Sequence, residues 1–188
     1  LTGGRRSPLI VPIRGEYLAL KERKKALIQR LVYPIPEPGV PFLGVHFTPT
    51  MSGDVLVGPN AVPALARDGY SWSSWSTQDL WDMATFSGFW RLGLRHARFA
   101  LQQVQHSISL SHQLSEVQRY FPSIEATDLA RTRSGVRAQA VDTRGELVDD
   151  FVFDCTRRVL HTRNAPSPGA TSSMVLAETI VDRLVRQL

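Results

Sequence analysis

A chain of 188 residues that is 43% hydrophobic and 21% charged can bury a core, which excludes a disordered tail. Its single cysteine, Cys155, excludes an internal disulfide and a thiolate-rich metal site, and no uncharged apolar stretch approaches the roughly 18 residues of a membrane span. The net charge of +5 suits anionic ligands, but the arginines are scattered. Only "KERKK", Lys21 to Lys25, is dense, and it reads as a solvated turn or helix start. Cys155 is expected to be a small buried residue. The chain opens on Leu1 with no basic-then-apolar leader, and the expectation is a segment that starts partway through a longer polypeptide.

In chain order, "PLIVPIRGEYLAL" predicts a strand over Leu9 to Leu20, and Gly15 in its middle predicts a bulge or a close approach by another group. Prolines confine Tyr33 to Pro41 to an edge or loop. "LGVHFT", Leu43 to Thr48, and the returning Val55 to Gly58 read as a hairpin that turns at Ser52-Gly53-Asp54. Met83, Phe86, Trp90, Leu94, Ala97, Leu101 and Val104 then recur at spacings of three or four. They predict one helical segment with a packing face, N-capped by Ser76 or Thr77 and kinked or divided at Gly88 and Gly93. A second helix over Ser111 to Tyr120 stops at Pro122.

"GVRAQAV" and "ELVDDFVFD" predict strands flanking the turn Thr143-Arg144-Gly145. "RVLHTR" predicts another strand, and a helix follows from about Ala170. The order strands, helices, strands, helix is α+β: a mixed, largely antiparallel sheet with a helical insertion and a C-terminal helix.

Few residues in this pattern invite chemistry. In "RNAPSPGATSS" the prolines stiffen the chain and Gly169 allows close packing. Ala170, Thr171 and Ser172 then offer N–H groups at a helix start, which suits a carbonyl, a phosphate or a developing anion, and equally an ordinary cap. Arg137, inside an apolar strand, either meets an anionic partner or faces solvent from an edge. Arg14 poses the same choice, or pairs with Glu16. His46 in "GVHFT" is a candidate general base or a satisfied core histidine. His96, His106 and His112 lack metal-site spacing, and there is no HExxH, CxxC, Walker loop or GxGxxG.

Four stretches in order, "IVPIRGEY", "LVYPIPEPGVPFLGVHFTPTMSGDVLVGPNAV", "SGVRAQAVDTRGELVDDFVF" and "VLHTRNAPSPGATSS", resemble the C-terminal part of the L-2-hydroxyglutarate dehydrogenase/oxidase family. These are flavoproteins of the D-amino-acid-oxidase fold. The resemblance implies a substrate domain over residues 1–134, and over 135–188 the returning strands and helix that complete an FAD-binding domain. The dinucleotide-binding segment that precedes these elements in the family is expected as a missing partner, so tight FAD binding by this chain alone is not expected.

The implied reaction oxidises L-2-hydroxyglutarate to 2-oxoglutarate with FAD accepting the hydride. By that likeness Arg137 holds a substrate carboxylate, and Arg14 and Arg163 are candidates for the second one of a small dicarboxylate. His46 is the base, and Asn60 orients substrate or flavin. Asn164, Ala165, Ser167, Gly169, Ala170, Thr171 and Ser172 lie beside the flavin. Between Asp154 and Arg157 only Cys155 and Thr156 stand where the family has a longer, glycine-containing stretch.

The resemblance leaves open a peripheral membrane or quinone-linked electron acceptor. The expected location is cytoplasmic or membrane-associated, and mitochondrial in a eukaryote. The competing readings are a flavin oxidase for another small 2-hydroxy or amino acid, a non-catalytic fragment, and a basic nucleic-acid-binding module. The four tryptophans, read as core residues, speak against the last, and no nucleic acid is expected.

Overall fold

Twelve consecutive residues, Leu9–Leu20, form one strand, β1, around which the rest is arranged. The structure is a computed structural model that describes residues 6–35, 43–156, 158–166 and 169–186. After β1 come a single helical turn α1 (Glu22–Lys25), strands β2 (His46–Pro49), β3 (Val55–Gly58) and β4 (Val62–Pro63), and helices α2 (Thr77–Ala84), α3 (Ser87–Arg95), α4 (Ala97–Ile108) and α5 (Leu110–Gln118). A 3-10 turn (Ala126–Asp128) leads into β5 (Leu129–Val141). The hairpin β6 (Phe153–Cys155) and β7 (Leu160–Thr162) and the helix α6 (Ser173–Val185) complete the order.

Every strand pairing of the main sheet is antiparallel among the described residues. β5 follows β1 from Leu9↔Val141 to Leu20↔Leu129, with one irregularity between Glu16 and Leu18. β3 and β4 share the other edge of β1, at Leu18↔Val57 and Arg14↔Val62, and β2 lies outside β3. The α+β reading, with a helical insertion and a closing helix, is the architecture found. The expected boundary after residue 134 falls inside β5, which runs unbroken across it.

Because side chains alternate along a strand, β1 feeds two cores. Leu18 and Leu20 point to one face, where they pack with Phe47, Val57, Ile28, Val117 and Ile124. Val11 and Ile13 point to the other and meet Val141, Met83 and Phe86. Phe47, with no exposed surface, takes Phe121 and Tyr120 edge-on at centroid distances of 4.9 and 5.9 Å. Burying one such side chain stabilises the fold by about 1.5–3 kcal/mol.

Local signals held where they were short-range. The β2–β3 hairpin turns at Gly53, whose φ of 85° favours glycine. Ser76 Oγ accepts from Asp79 N–H at 3.3 Å and caps α2. A side chain on Gly15 would meet Pro59 Cβ at 2.9 Å, which is the close approach its position predicted.

The helical insertion corrects two expectations. It breaks around Thr85-Phe86 and at His96, whereas Gly88 and Gly93 both lie inside α3. Thr85 Oγ1 donates to Trp81 O at the end of α2, and Phe86 turns inward. Each break resets the helical phase, so the periodic stripe does not form one face. Met83 and Phe86 are buried, while Trp90, Leu94 and Leu101 are exposed. Trp72, Trp75 and Trp81 are exposed as well, so the tryptophans are not core residues.

Cys155 is also exposed, against expectation: among the described residues the three-residue β6 pairs with β7 alone, and Cys155 stands at its end. The hairpin is tight: Thr156 N–H donates to Val159 O at 2.8 Å. Much of α6 is uncovered, with Met174, Val175, Val181 and Val185 exposed.

Candidate functional site

Register decides which candidates share a face. Arg137 lies opposite Ile13 and Gly135 opposite Gly15. Directly opposed residues point the same way, so Arg137, Gly135 and Ile13 belong to one face of the sheet. On the other side of β1, Phe47 opposes Val57, which opposes Leu18, and these three point into the core on the opposite face. Their neighbours His46 and Gly58 therefore point the same way as Arg137. Arg137 is exposed, and a Cβ built on Gly135 meets nothing within 4 Å. This end of the face is open.

His46 is buried, at 8% exposure, and is held on two sides. Tyr33 stacks on its ring with centroids 4.7 Å apart and planes at 21°. Its Nδ1 lies 3.0 Å from Gly44 O. A carbonyl can only accept, so in the neutral ring Nδ1 carries the proton and Nε2 is the basic nitrogen. Burial pulls the pKa of His46 below 6.5. The Gly44 hydrogen bond opposes that shift, and the positive charge of Arg137 adds to it. A lowered pKa favours the neutral imidazole, the form that can accept a proton.

Arg14 and Asn60, grouped with these residues on sequence grounds, sit elsewhere. Arg14 alternates with Ile13 and so points to the opposite face, wholly buried. Its Nε and one Nη donate to Glu16 Oε1 at 3.2 and 2.9 Å, and its guanidinium carbon lies 4.3 Å from the centroid of a Trp72 ring. The other Nη is buried without a hydrogen-bond partner. The pairing with Glu16 is the one the sequence allowed.

Asn60, also buried, closes on the same glutamate. Its Oδ1 accepts from Glu16 N–H at 2.8 Å, and its Nδ2 donates to Glu16 Oε2 at 2.9 Å. Ser107 Oγ on α4 donates to that same carboxylate oxygen, and Gln103 Oε1 on α4 accepts from Ala61 N–H. Ser107 and Gln103 carry no motif and were not identifiable from the sequence. A cleft of about 790 Å³ lies beyond this cluster, with Asn60, Gln103, Tyr33, Gly44, His106 and Tyr120 in its walls.

Arg163 is a third case. Nη1 pairs with Asp154, and Nη2 donates to Pro8 O at 3.2 Å, tying the β6–β7 hairpin to the approach of β1. In the loop that follows, Asn164 is buried and holds its own chain: Oδ1 accepts from Val152 N–H and Nδ2 donates to Asp150 O, both at 2.8 Å. Ala165, Ala170 and Thr171 are exposed, and Gly169 and Ser172 are half-buried; Ser167 lies outside the described residues. The Ser172 side chain makes no cap hydrogen bond to α6. No group of three or more histidine, cysteine, aspartate or glutamate residues able to hold a metal occurs among the described residues.

Comparison with known proteins agrees with the sheet-and-helix arrangement. The model of a family described as "FAD dependent oxidoreductase" matches residues 1–183. The chain is 46% identical over 190 residues to the "L-2-hydroxyglutarate dehydrogenase, mitochondrial" of Caenorhabditis briggsae, covering 98% of this chain and 44% of that protein. It is 42% identical to the protein of the same name from Homo sapiens, over 98% of this chain and 41% of the relative. It is 44% identical to the "L-2-hydroxyglutarate dehydrogenase" of Salmonella houtenae, over 94% and 42% respectively. The chain therefore spans less than half the length of the curated relatives it matches.

Proposed function

The chain belongs to the FAD-dependent oxidoreductase family, and on that premise we propose that it supplies the substrate-handling face of an enzyme oxidising L-2-hydroxyglutarate to 2-oxoglutarate. The names of its relatives support the substrate. The single observation that carries the reading is that a buried histidine and an exposed arginine share one face of the sheet, with the arginine's charge lowering the pKa of the imidazole.

Each residue's part follows from its chemistry. Arg137 presents a planar fork of donors that grips a carboxylate in two-point fashion and so fixes the substrate's orientation. His46, with Nδ1–H committed to Gly44 O, takes the hydroxyl proton on Nε2 as the alcohol carbon becomes a ketone. Proton transfer of this kind contributes about 10²–10⁴-fold to rate. Tyr33 keeps the ring from turning. Arg137 lies on the face of His46 and Arg14 on the opposite one, so we assign carboxylate binding to Arg137.

FAD, when bound, supplies the two-electron acceptor for the hydrogen that leaves carbon. The residues fit it in kind. Gly135 leaves open space beside Arg137, where a flat group has room, and the start of α6 offers backbone N–H groups that suit negative charge. Gly169, Ala170, Thr171 and Ser172 would approach it through the backbone. Asn164 would act on it by shaping the loop, since its amide is bonded to Asp150 and Val152.

We place the protein in mitochondria if its host is a eukaryote, as its animal relatives' names say of them, and in the cytoplasm of a bacterium. The electron acceptor we propose is quinone-linked and met at a membrane surface. No helix among the described residues is long and apolar enough to cross a membrane.

The test is anaerobic mixing of L-2-hydroxyglutarate with the flavin-loaded protein, the chain being joined to a dinucleotide-binding segment of its family, followed by the flavin's visible absorbance. Bleaching by L-2-hydroxyglutarate but not by glycine or sarcosine is the expected result. Bleaching by sarcosine or glycine alone would move the enzyme to amine oxidation and overturn the proposal.

A further inference from the structure

We propose that Glu16, a half-buried residue on the face of the sheet opposite His46, is a positioning residue for His46, acting through Asn60 and the end of β3. The inference rests on the reading of His46 as the proton acceptor.

The connection is short and made of named bonds. His46 pairs with Gly58, the last residue of β3. Two residues later Asn60 is clamped to Glu16 by three hydrogen bonds: Asn60 N–H to Glu16 O at 3.3 Å, Glu16 N–H to Asn60 Oδ1, and Asn60 Nδ2 to Glu16 Oε2. Gly58 itself has a φ of 119°, and a Cβ there would meet Glu16 O at 3.1 Å. The backbone opposite His46 is therefore seated directly on the backbone of Glu16.

The carboxylate fixes this seat from behind. Arg14 holds Oε1, while Asn60 and Ser107 hold Oε2, so both oxygens are taken by donors from β1, the β3–β4 connection and α4. Gln103, one turn before Ser107 on α4, takes Ala61 N–H and adds a second tie to the same segment. An amide in place of the carboxylate would turn an NH₂ toward one of these donor sets and leave Arg14 without its counter-charge. Glu16 makes no hydrogen bond or ion pair to His46 and lies on the opposite face of the sheet, so its influence is positional. The groups facing the imidazole itself are Tyr33, Gly44 O and the charge of Arg137.

The experiment follows the ring N–H of His46 by proton–nitrogen NMR in the flavin-loaded protein, alongside kcat and KM. Wild type is expected to show a slowly exchanging Nδ1–H. Ser107→Ala and Glu16→Gln are expected to speed its exchange at least fivefold and to lower kcat at least fivefold with KM within twofold, and Ser107→Thr, which keeps the hydroxyl, to restore both. If Glu16→Gln does not fold, the Ser107 pair decides alone.

Unchanged ring exchange in Ser107→Ala would overturn the proposal, as would a loss confined to KM or one that Ser107→Thr does not repair. His46→Gln separates the two readings. Full turnover in that variant removes His46 as the base, while the NMR result still decides whether Glu16 positions it.

Discussion

Tyr33 lies nearly parallel to His46, with ring centroids 4.7 Å apart, while the edge of the same imidazole is bonded to Gly44 O. One contact fixes the plane of the ring and the other its rotation, which leaves only Nε2 to accept a proton. Tyr33→Phe keeps the stacked face and is expected to hold kcat within about twofold. Tyr33→Ala removes it and is expected to lower kcat more than about fivefold, read by steady-state turnover.

His46 sits below its ordinary pKa of 6.5 because it is buried and because Arg137 is near. The acid limb of kcat/KM, which reports the base in the free enzyme, is therefore expected below pH 6.5. Arg137→Gln removes the positive charge and is expected to move that limb upward. A limb that stays in place would mean the observed group is another one.

Arg137→Lys keeps the charge but loses the planar fork. Substrate binding is expected to weaken more than tenfold, about 1.4 kcal/mol. An unchanged apparent affinity would remove Arg137 from the carboxylate site.

Burial pushes the carboxyl of Glu16 up, but hydrogen bonds from Ser107, Asn60 and Arg14 outweigh it and hold it below the usual 4.5. Asp128 is held below 3.8, chiefly by the backbone N–H of Glu125, with Arg23 adding to it. A carboxyl with a lowered folded pKa binds its proton less readily folded than unfolded. Its stabilisation is therefore full above the unfolded value and is lost as pH falls through the folded one. Chemical unfolding midpoints are expected to fall from pH 4.5 downward, and Asp128→Asn is expected to flatten part of that decline.

Gly88 packs against the far end of the sheet: a Cβ there would lie 2.0 Å from Asp142 O, a backbone atom that cannot swing aside. Gly88→Ala is expected to destabilise the protein by more than about 3 kcal/mol, by thermal or urea unfolding, although alanine favours helix. Gly93→Ala, in the same helix with open space around it, is expected to be neutral or stabilising.

The contrast between those two glycines marks what could be read in advance. β1, the Gly53 hairpin and the Ser76 cap are written in neighbouring residues, and they were legible. The breaks in the helical insertion were not, because nothing in the apolar spacing shows that Phe86 turns inward and restarts the phase. In the site, His46 and Arg137 stood out as a titratable group and a charge in apolar strands. Ser107 reaches Glu16 across 91 residues of chain, a distance no local pattern spans. Arg14 looked like a ligand for substrate because its burial, and the face it takes, depend on pairing with strands that arrive later in the chain.

β1 serves as a party wall, with Leu18 and Leu20 furnishing one room and Val11 and Ile13 the other. Damage on one side should then leave the opposite side standing: losses from Val117→Ala and Met83→Ala are expected to sum. Such a wall lets the residents of either room be exchanged over generations while the strand that seats His46 and Arg137 on one face stays where it is.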